Sequence, residues 1–211
     1  TIDGNSTNLT VTNSGKIYVT TAGTFTSRPP EGAAMDLSIA TNAIITNNSG
    51  GEIYTDVNDA GTGATINMGA SSSITNSGQI RDDSSQNFTM DFSGNNTTFT
   101  NNAGGSVTGG EVRISAGTTG ITITNSGTMS SAATTSTLES RATGTGTITN
   151  NAGGVISNSS TGNAVQLGVS STLTNSGTIQ NTASTSNNAI NLAGNNNTVI
   201  LKDQGKVIGL I

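Results

Sequence analysis

The chain has 211 residues and a formal net charge of −5, and Thr, Asn, Ser and Gly make up more than half of it. Charged residues are 9% and aromatic residues 3%, and the chain contains no His, Cys or Trp. These absences exclude a Ser-His-Asp or Cys-His nucleophile, an imidazole or thiolate metal site and a disulfide bond. Lys and Arg number only 7, too few for a nucleic-acid-binding surface.

This composition fits either a disordered polar tract or a repetitive β structure, and the spacing of the apolar residues decides between them. An apolar residue followed by Thr-Asn and then Gly recurs along the whole chain, and a degenerate last copy is Leu201-Lys202-Asp203. The asparagines of the regular copies, which we call the Asn column, are Asn13, Asn47, Asn76, Asn101, Asn125, Asn150 and Asn175.

The residues after each asparagine of the Asn column alternate between two forms. The short form, Asn-Ser-Gly, begins at positions 13, 76, 125 and 175. The long form, Asn-Asn-Ser/Ala-Gly-Gly, begins at positions 47, 101 and 150. This alternation indicates a duplicated unit of two turns.

Each repeat carries two further apolar pulses. One follows the Gly, at Ile17, Ile53, Ile80, Val107, Met129, Ile156 and Ile179. The other is an alternating pair, at Met35/Leu37, Ile66/Met68, Met90/Phe92, Val112/Ile114, Val165/Leu167 and Ile190/Leu192, which decays to Leu138/Ser140 in the fifth copy. Short period-2 pulses bounded by Gly, Asn and Ser predict strands. Three short strands per roughly 25 residues predict an all-β parallel solenoid of about eight coils.

The Asn column follows from the same geometry. An asparagine between a strand and a Ser-Gly turn tolerates a left-handed or bridging backbone. Stacked at every coil, the side-chain amides can hydrogen-bond along the solenoid axis, each bond contributing about 0.5–1.5 kcal/mol. We therefore interpret the Asn column as structural.

Two repeats and the C-terminal segment carry a family resemblance. Ile74-Thr75-Asn76-Ser77-Gly78-Gln79-Ile80 and residues 173–179 resemble the repeats of bacterial autotransporter passenger domains, and residues 197–208 are similar to a passenger's last coils. The resemblance implies a right-handed β-helix displayed at the outer surface by a C-terminal membrane barrel that these residues do not contain. It also implies that residues 1–211 are one segment of a longer passenger, with residues 197–211 leading toward the missing part. The functions it implies are adhesion, autoaggregation or a stalk.

Loops and outward columns are where a solenoid binds its partners. The longest insertion, residues 20–33 of the first coil, contains Ser27, Arg28 and Glu31 and both prolines of the chain. It is a candidate for a specific contact, and the alternative is a cap that covers the open end of the sheet.

Acidic residues cluster in the next two coils, at Asp56, Asp59, Asp82 and Asp83. Their offsets from the preceding apolar pulse predict one shared corner. Paired carboxylates can bind Ca²⁺ or act as acid and base on a glycan, and solvated loop acids are the alternative. Residues from Asp56 onward partly match the pattern of a calcium-binding loop, but Ala60 supplies no ligand oxygen from its side chain. Asn67 occupies the position at which such a loop has a bidentate Glu. Only Arg81 supplies the cation that a glycan-cleaving site needs, so we expect neither a metal site nor catalysis.

Two outward columns remain. The residues between each apolar pair, which we call the central column, are Asp36, Asn67, Asp91, Arg113, Glu139, Gln166 and Asn191. We expect them to be exposed pairs that help to set the strand register.

Thr-x-Thr recurs around the first pulse at Thr10/Thr12, Thr98/Thr100, Thr122/Thr124, Thr147/Thr149 and Thr172/Thr174, with Ser73/Thr75 and Ile44/Thr46 as partial matches. Such a lattice resembles the ice-binding face of antifreeze solenoids, and plain β propensity is the alternative.

The sequence thus predicts a non-enzymatic protein without a cofactor, located at the bacterial cell surface or released from it. It would act as an adhesin or stalk whose partner is a glycan or protein of a host or cell surface, or a further copy of the same chain. Weak contacts at each coil would add through multivalency. A free-standing ice-binding solenoid is the first alternative, and a glycan-processing β-helix is the second.

Overall fold

The computed structural model describes residues 2–4, 6–19, 33–56, 64–83 and 88–211. The described strands form three parallel sheets of eight strands each, which we call sheets I, II and III. Within these ranges, no helix is long and apolar enough to cross a membrane.

Sheet I holds the alternating apolar pairs. Its neighbouring strands are one repeat apart in the chain and pair in parallel register, for example Met35 beside Ile66. In order across the sheet, the strands are β1 (Ile2–Asp3), β4 (Met35–Leu37), β7 (Ala64–Met68), β10 (Phe88–Phe92), β13 (Glu111–Ile114), β16 (Leu138–Ser140), β19 (Val165–Leu167) and β22 (Ile190–Leu192).

Sheet II holds the Thr-Asn pulses. Most of its strands place one apolar residue in the interior with the residues on either side of it outside, because side chains alternate along a strand. In order across the sheet, the strands are β2 (Thr10–Asn13), β5 (Ile44–Asn47), β8 (Ser73–Asn76), β11 (Thr98–Asn101), β14 (Ile121–Asn125), β17 (Gly146–Asn150), β20 (Thr172–Asn175) and β23 (Thr198–Leu201).

Sheet III holds the pulses that follow the Gly of each repeat. Its neighbours also pair in register, for example Ile17 beside Ile53. In order from the N-terminal end, the strands are β3 (Lys16–Val19), β6 (Glu52–Thr55), β9 (Gln79–Asp82), β12 (Ser106–Gly109), β15 (Thr128–Ser131), β18 (Val155–Asn158), β21 (Thr178–Asn181) and β24 (Lys206–Ile208).

The three sheets enclose one continuous apolar core. Ile45 of sheet II, Ile53 of sheet III and Ile66 of sheet I are each at most 1% exposed. They belong to a single cluster that extends along the stacked coils. One coil buries only a few apolar side chains, so stability comes from stacking the coils. The predicted all-β parallel solenoid is confirmed, whereas its handedness and the number of complete coils stay predictions.

The Asn column forms a buried ladder of amides at the corner between sheets II and III. Each side-chain Nδ2 donates to the Oδ1 of the asparagine in the next coil at 2.8 to 2.9 Å, from Asn13 through to Asn175. The same nitrogen also donates to backbone carbonyls, as Asn76 does to Ser106 at 3.2 Å. These amides are therefore satisfied inside the solenoid.

The left-handed backbone expected for the Asn column occurs elsewhere. Its asparagines end their strands without a positive φ, because their backbone continues the parallel ladder. The left-handed asparagines lie instead at the corner before sheet II, where Asn8, Asn42 and Asn96 have φ values of 61, 57 and 58°. The column thus selects asparagine for its amide and not for its backbone freedom.

The short and long turns fit one another in space. Nδ2 of the second asparagine in each long turn donates to a serine Oγ of the preceding short turn at 2.8 to 2.9 Å, in the pairs Asn48–Ser14, Asn102–Ser77 and Asn151–Ser126. In the other direction, Gly78 of a short turn lies directly on the preceding long turn, where an added Cβ would be 2.2 Å from the Gly51 carbonyl oxygen. The two-coil alternation therefore has a packing cause.

We expect Gly78→Ala to lower the free energy of unfolding by about 1–3 kcal/mol, because its Cβ would press on a backbone carbonyl that cannot move away. Gly15 is the matched control, since it has the same place in the first turn and an added Cβ there would meet nothing within 4 Å. Urea unfolding of Gly78→Ala and Gly15→Ala at low protein concentration measures both. Equal losses would contradict the packing argument.

Candidate functional site

The outward side of sheet II carries two columns of mostly hydroxyl side chains, which we call the Thr face. The column nearer the Asn column is threonine in seven successive strands, at Thr12, Thr46, Thr75, Thr100, Thr124, Thr149 and Thr174. The other column reads Thr10, Ile44, Ser73, Thr98, Thr122, Thr147, Thr172 and Thr198. Since Ser73 keeps the hydroxyl, Ile44 alone interrupts this column.

The Thr face is a regular and uncharged lattice. Its two columns are about 6.6 Å apart along each strand, and neighbouring strands are about 4.8 Å apart. Within the described residues, the outward positions of sheet II hold no Asp, Glu, Lys or Arg. A shallow depression of about 250 Å³ lies beside Thr122, Thr147 and Thr172, and Gly120 and Gly146 also line it. This face can offer an extended ligand the same hydroxyl and methyl groups in most of the coils.

The predicted acidic corner is only partly assembled. Asp56 and Asp83 are exposed, whereas Asp82 lies on the interior side of β9 and is 6% exposed. The reason is strand parity, because Ile80 and Asp82 share the inward side. Asp59 lies outside the described residues, as do Ser27, Arg28 and Glu31 of the insertion 20–33. Among the residues that the structure describes, no group of three or more acidic side chains could hold a metal ion.

An aromatic stack lies beside this corner on the outward side of sheet III. The rings of Tyr18 and Tyr54 are parallel, with centroids 5.2 Å apart, and the guanidinium of Arg81 lies 4.1 Å from the Tyr54 centroid. Arg81 also pairs with Asp83, and its Nη2 is 3.9 Å from Glu52. Tyr18, Tyr54 and Arg81 occupy the same position in successive repeats, and this equivalence could have predicted the stack from the sequence.

The central column is buried more deeply than the sequence suggests, and the expectation of exposed pairs is wrong for much of it. Asn67, Asp91 and Glu139 are 5%, 8% and 8% exposed. Asp91 accepts from Arg113 Nε at 3.1 Å and Nη2 at 2.6 Å. Neighbouring long side chains cause the burial, since the Arg113 guanidinium covers the Phe88 ring at 3.6 Å.

Next to this column lies a carboxyl group that the sequence reasoning missed. Glu111 is fully buried, and neither of its oxygens has a hydrogen-bond donor among the described residues. Burial raises the pKa of Glu111 to about 9, and the neighbouring Glu139 adds to the increase, whereas Arg141 and Arg113 oppose it. At neutral pH Glu111 is therefore protonated, and its O–H can donate to Glu139.

Two carboxyl groups with arginines on adjacent strands are residue types used in glycan cleavage. Here the pair is closed, because solvent does not reach Glu111 and Glu139 is engaged by Gln166 Nε2 at 2.6 Å and Arg141 Nε at 3.2 Å. A sugar ring has no access to both carboxyls in this arrangement. The cluster therefore belongs to the internal packing of sheet I, whereas the Thr face is open to a partner.

Comparison with known proteins adds no family to this geometry, since no family model, no curated protein and no solved structure matches the chain.

Glu111 makes folding stability depend on pH. Between about pH 4.5 and pH 9 the unfolded chain releases this proton while the folded chain retains it, so the free energy of unfolding falls as the pH rises through that window. We expect Glu111→Gln, which stays neutral, to flatten this decline in urea unfolding measured across the same window. Glu52→Gln, a partly exposed carboxyl on sheet III, should leave the decline in place. A slope unchanged in Glu111→Gln would show that this carboxyl is ionised in the folded protein.

Proposed function

We propose that the protein is a non-enzymatic attachment rod of the autotransporter passenger type, which acts at the bacterial cell surface as an adhesin or stalk. The proposal includes a right-handed winding of about eight coils and a C-terminal membrane barrel in the parent chain. Its support is the family resemblance of the repeats together with the arrangement of the outward side chains.

The observation that carries the proposal is the Thr face. It repeats the same uncharged groups along most of sheet II, while ion pairs occupy sheets I and III. A single Thr contact is weak, but a ligand that spans several coils makes many contacts after one loss of translational freedom. A face of this kind suits a long or repetitive partner, and we propose a cell-surface glycan.

Attachment through the Thr face should fail when that face is charged. In the triple variant Thr122→Lys, Thr124→Lys, Thr147→Lys, we expect binding to glycan arrays and to fixed cells to fall at least about tenfold, because three desolvated ammonium groups are costly. The matched control is Thr108→Lys, Ser130→Lys, Ser157→Lys, which makes the same charge change on outward positions of sheet III. Equal binding by both triple variants would show that the Thr face is not the binding surface.

Ice binding is the second candidate, and the in-register columns favour it. Threonine occupies both columns in four successive strands, from Thr98/Thr100 to Thr172/Thr174. Hydroxyl and methyl groups at fixed two-dimensional spacing can order water on the face, as a lattice of ice requires.

If this second function holds, millimolar protein should facet growing ice crystals, and the triple lysine variant of the Thr face should lose that effect while the sheet III variant keeps it. Crystals that stay rounded with the unmodified chain would exclude ice binding. Glycan binding and ice shaping can then be scored on the same set of proteins.

A further inference from the structure

The Thr face is complete over only part of sheet II. Both of its columns hold threonine in the four successive strands β11, β14, β17 and β20. Toward β5 one column changes to Ser73 and then Ile44, and in β23 the other column changes from Thr174 to Ile200. The side chains of Ile44 and Ile200 are 51% and 38% exposed. The full lattice of hydroxyl and methyl groups is therefore a patch that spans three strand spacings, or about 14 Å.

The depression of about 250 Å³ lies alongside three of these four strands. At the corner where the chain enters sheet II, four other coils carry an exposed asparagine with a left-handed backbone, at Asn8, Asn42, Asn96 and Asn196. The same position in the three coils of the depression holds Gly120, Thr145 and Ser170. The depression therefore coincides with three successive coils that lack the corner amide, and with the patch in which both columns are threonine.

The lining of the depression suits an uncharged sugar. Among the described residues that line it, none is charged and none is aromatic. Thr122 and Thr147 are exposed there, and each offers a methyl group and a hydroxyl that both donates and accepts hydrogen bonds. A pyranose ring has the matching groups, with hydroxyls around its rim and C–H groups on its faces. An acidic glycan would lose hydration of its carboxylates or sulfates without gaining a cation in the lining.

We propose that the Thr face binds an uncharged oligosaccharide, which runs along the column Thr98, Thr122, Thr147 and Thr172 with a sugar ring in the depression. This inference rests on the proposed function and specifies its ligand. The rise of one sugar unit in an extended glycan is close to the spacing between coils, so successive units meet equivalent threonines. Affinity should rise with the length of the glycan until it spans the patch, and change little beyond that length.

Two substitutions test the depression by giving it the amide of the other coils. Gly120 and Ser170 have φ values of 72 and 51°, a backbone that asparagine tolerates. A Cβ at Gly120 would meet only the flexible amide of Asn96 closely, and Asn42 beside Asn8 shows that this corner accommodates asparagine in successive coils, with Nδ2 3.3 Å from Oδ1.

We expect Gly120→Asn and Ser170→Asn each to weaken oligosaccharide binding at least about tenfold, because the inserted side chain occupies the place of the sugar and leaves its hydrogen bonds unmade. The matched control is Ser71→Asn. Ser71 has a φ of 55° at the same corner, but it lies in a single coil between Asn42 and Asn96 and does not line the depression. Urea unfolding checks that the variants fold, and Ser170→Asn adds no Cβ, so it stays informative if Gly120→Asn is destabilised.

The measurement is binding of the 211-residue chain to immobilised oligomers of glucose, mannose and N-acetylglucosamine of increasing length, and to heparin fragments of the same lengths. Strongest binding to heparin, affinity that does not depend on length, or equal binding by Gly120→Asn, Ser170→Asn and Ser71→Asn would each overturn the inference alone. So would a chain that binds fixed cells but none of the uncharged oligomers. A chain that binds neither cells nor glycans would overturn the proposed function together with the inference.

Discussion

Parallel in-register stacking is the constraint on which the rest of this structure depends. It places each side chain beside its equivalent in the next coil, about 4.8 Å away, so a residue is acceptable only if it is compatible with the residue at the same position in that coil. Asparagine satisfies this condition in the buried corner, because its amide both donates and accepts. From Asn13 to Asn175 each Nδ2 meets the next Oδ1. Aspartate in that column would stack buried like charges, and leucine would leave the nearby carbonyls without donors.

The same constraint accounts for the scarcity of charge. An ionised residue stacked on its own kind is destabilising, and several charged positions on the described sheets lie beside a residue of opposite charge. Arg113 lies beside Asp91, and Lys16 lies beside Glu52. Glu111 is a second carboxyl group next to Glu139, and it avoids like-charge repulsion by staying protonated, because burial raises its pKa. Threonine and serine avoid the problem, because hydroxyls can stack without a charge penalty.

The spacing of the apolar residues and the composition determine much of this architecture, and both can be read directly from the sequence. The three apolar pulses correspond to three sheets, and the repeated Thr-Asn places the amide ladder and both Thr columns in register. What escaped prediction depends on details that break the period. Glu111 follows Gly109 and Gly110 at a shift in strand register, so its burial does not follow from its place in the repeat. Asp82 looks like part of an exposed acidic pair, yet strand parity turns it inward.

The turns show how a repeat protein fixes the order in which its coils follow one another. A ladder of identical coils would let any coil follow any other, whereas alternating turns require a short form on a long one, because Gly78 tolerates no side chain above Gly51. At Gly15, by contrast, an added Cβ would meet nothing within 4 Å, so the steric demand for glycine in a short turn comes from the long turn packed against it. The faces of the solenoid carry side chains that suit a partner alongside, whereas its turns carry the packing that fixes the order of the coils.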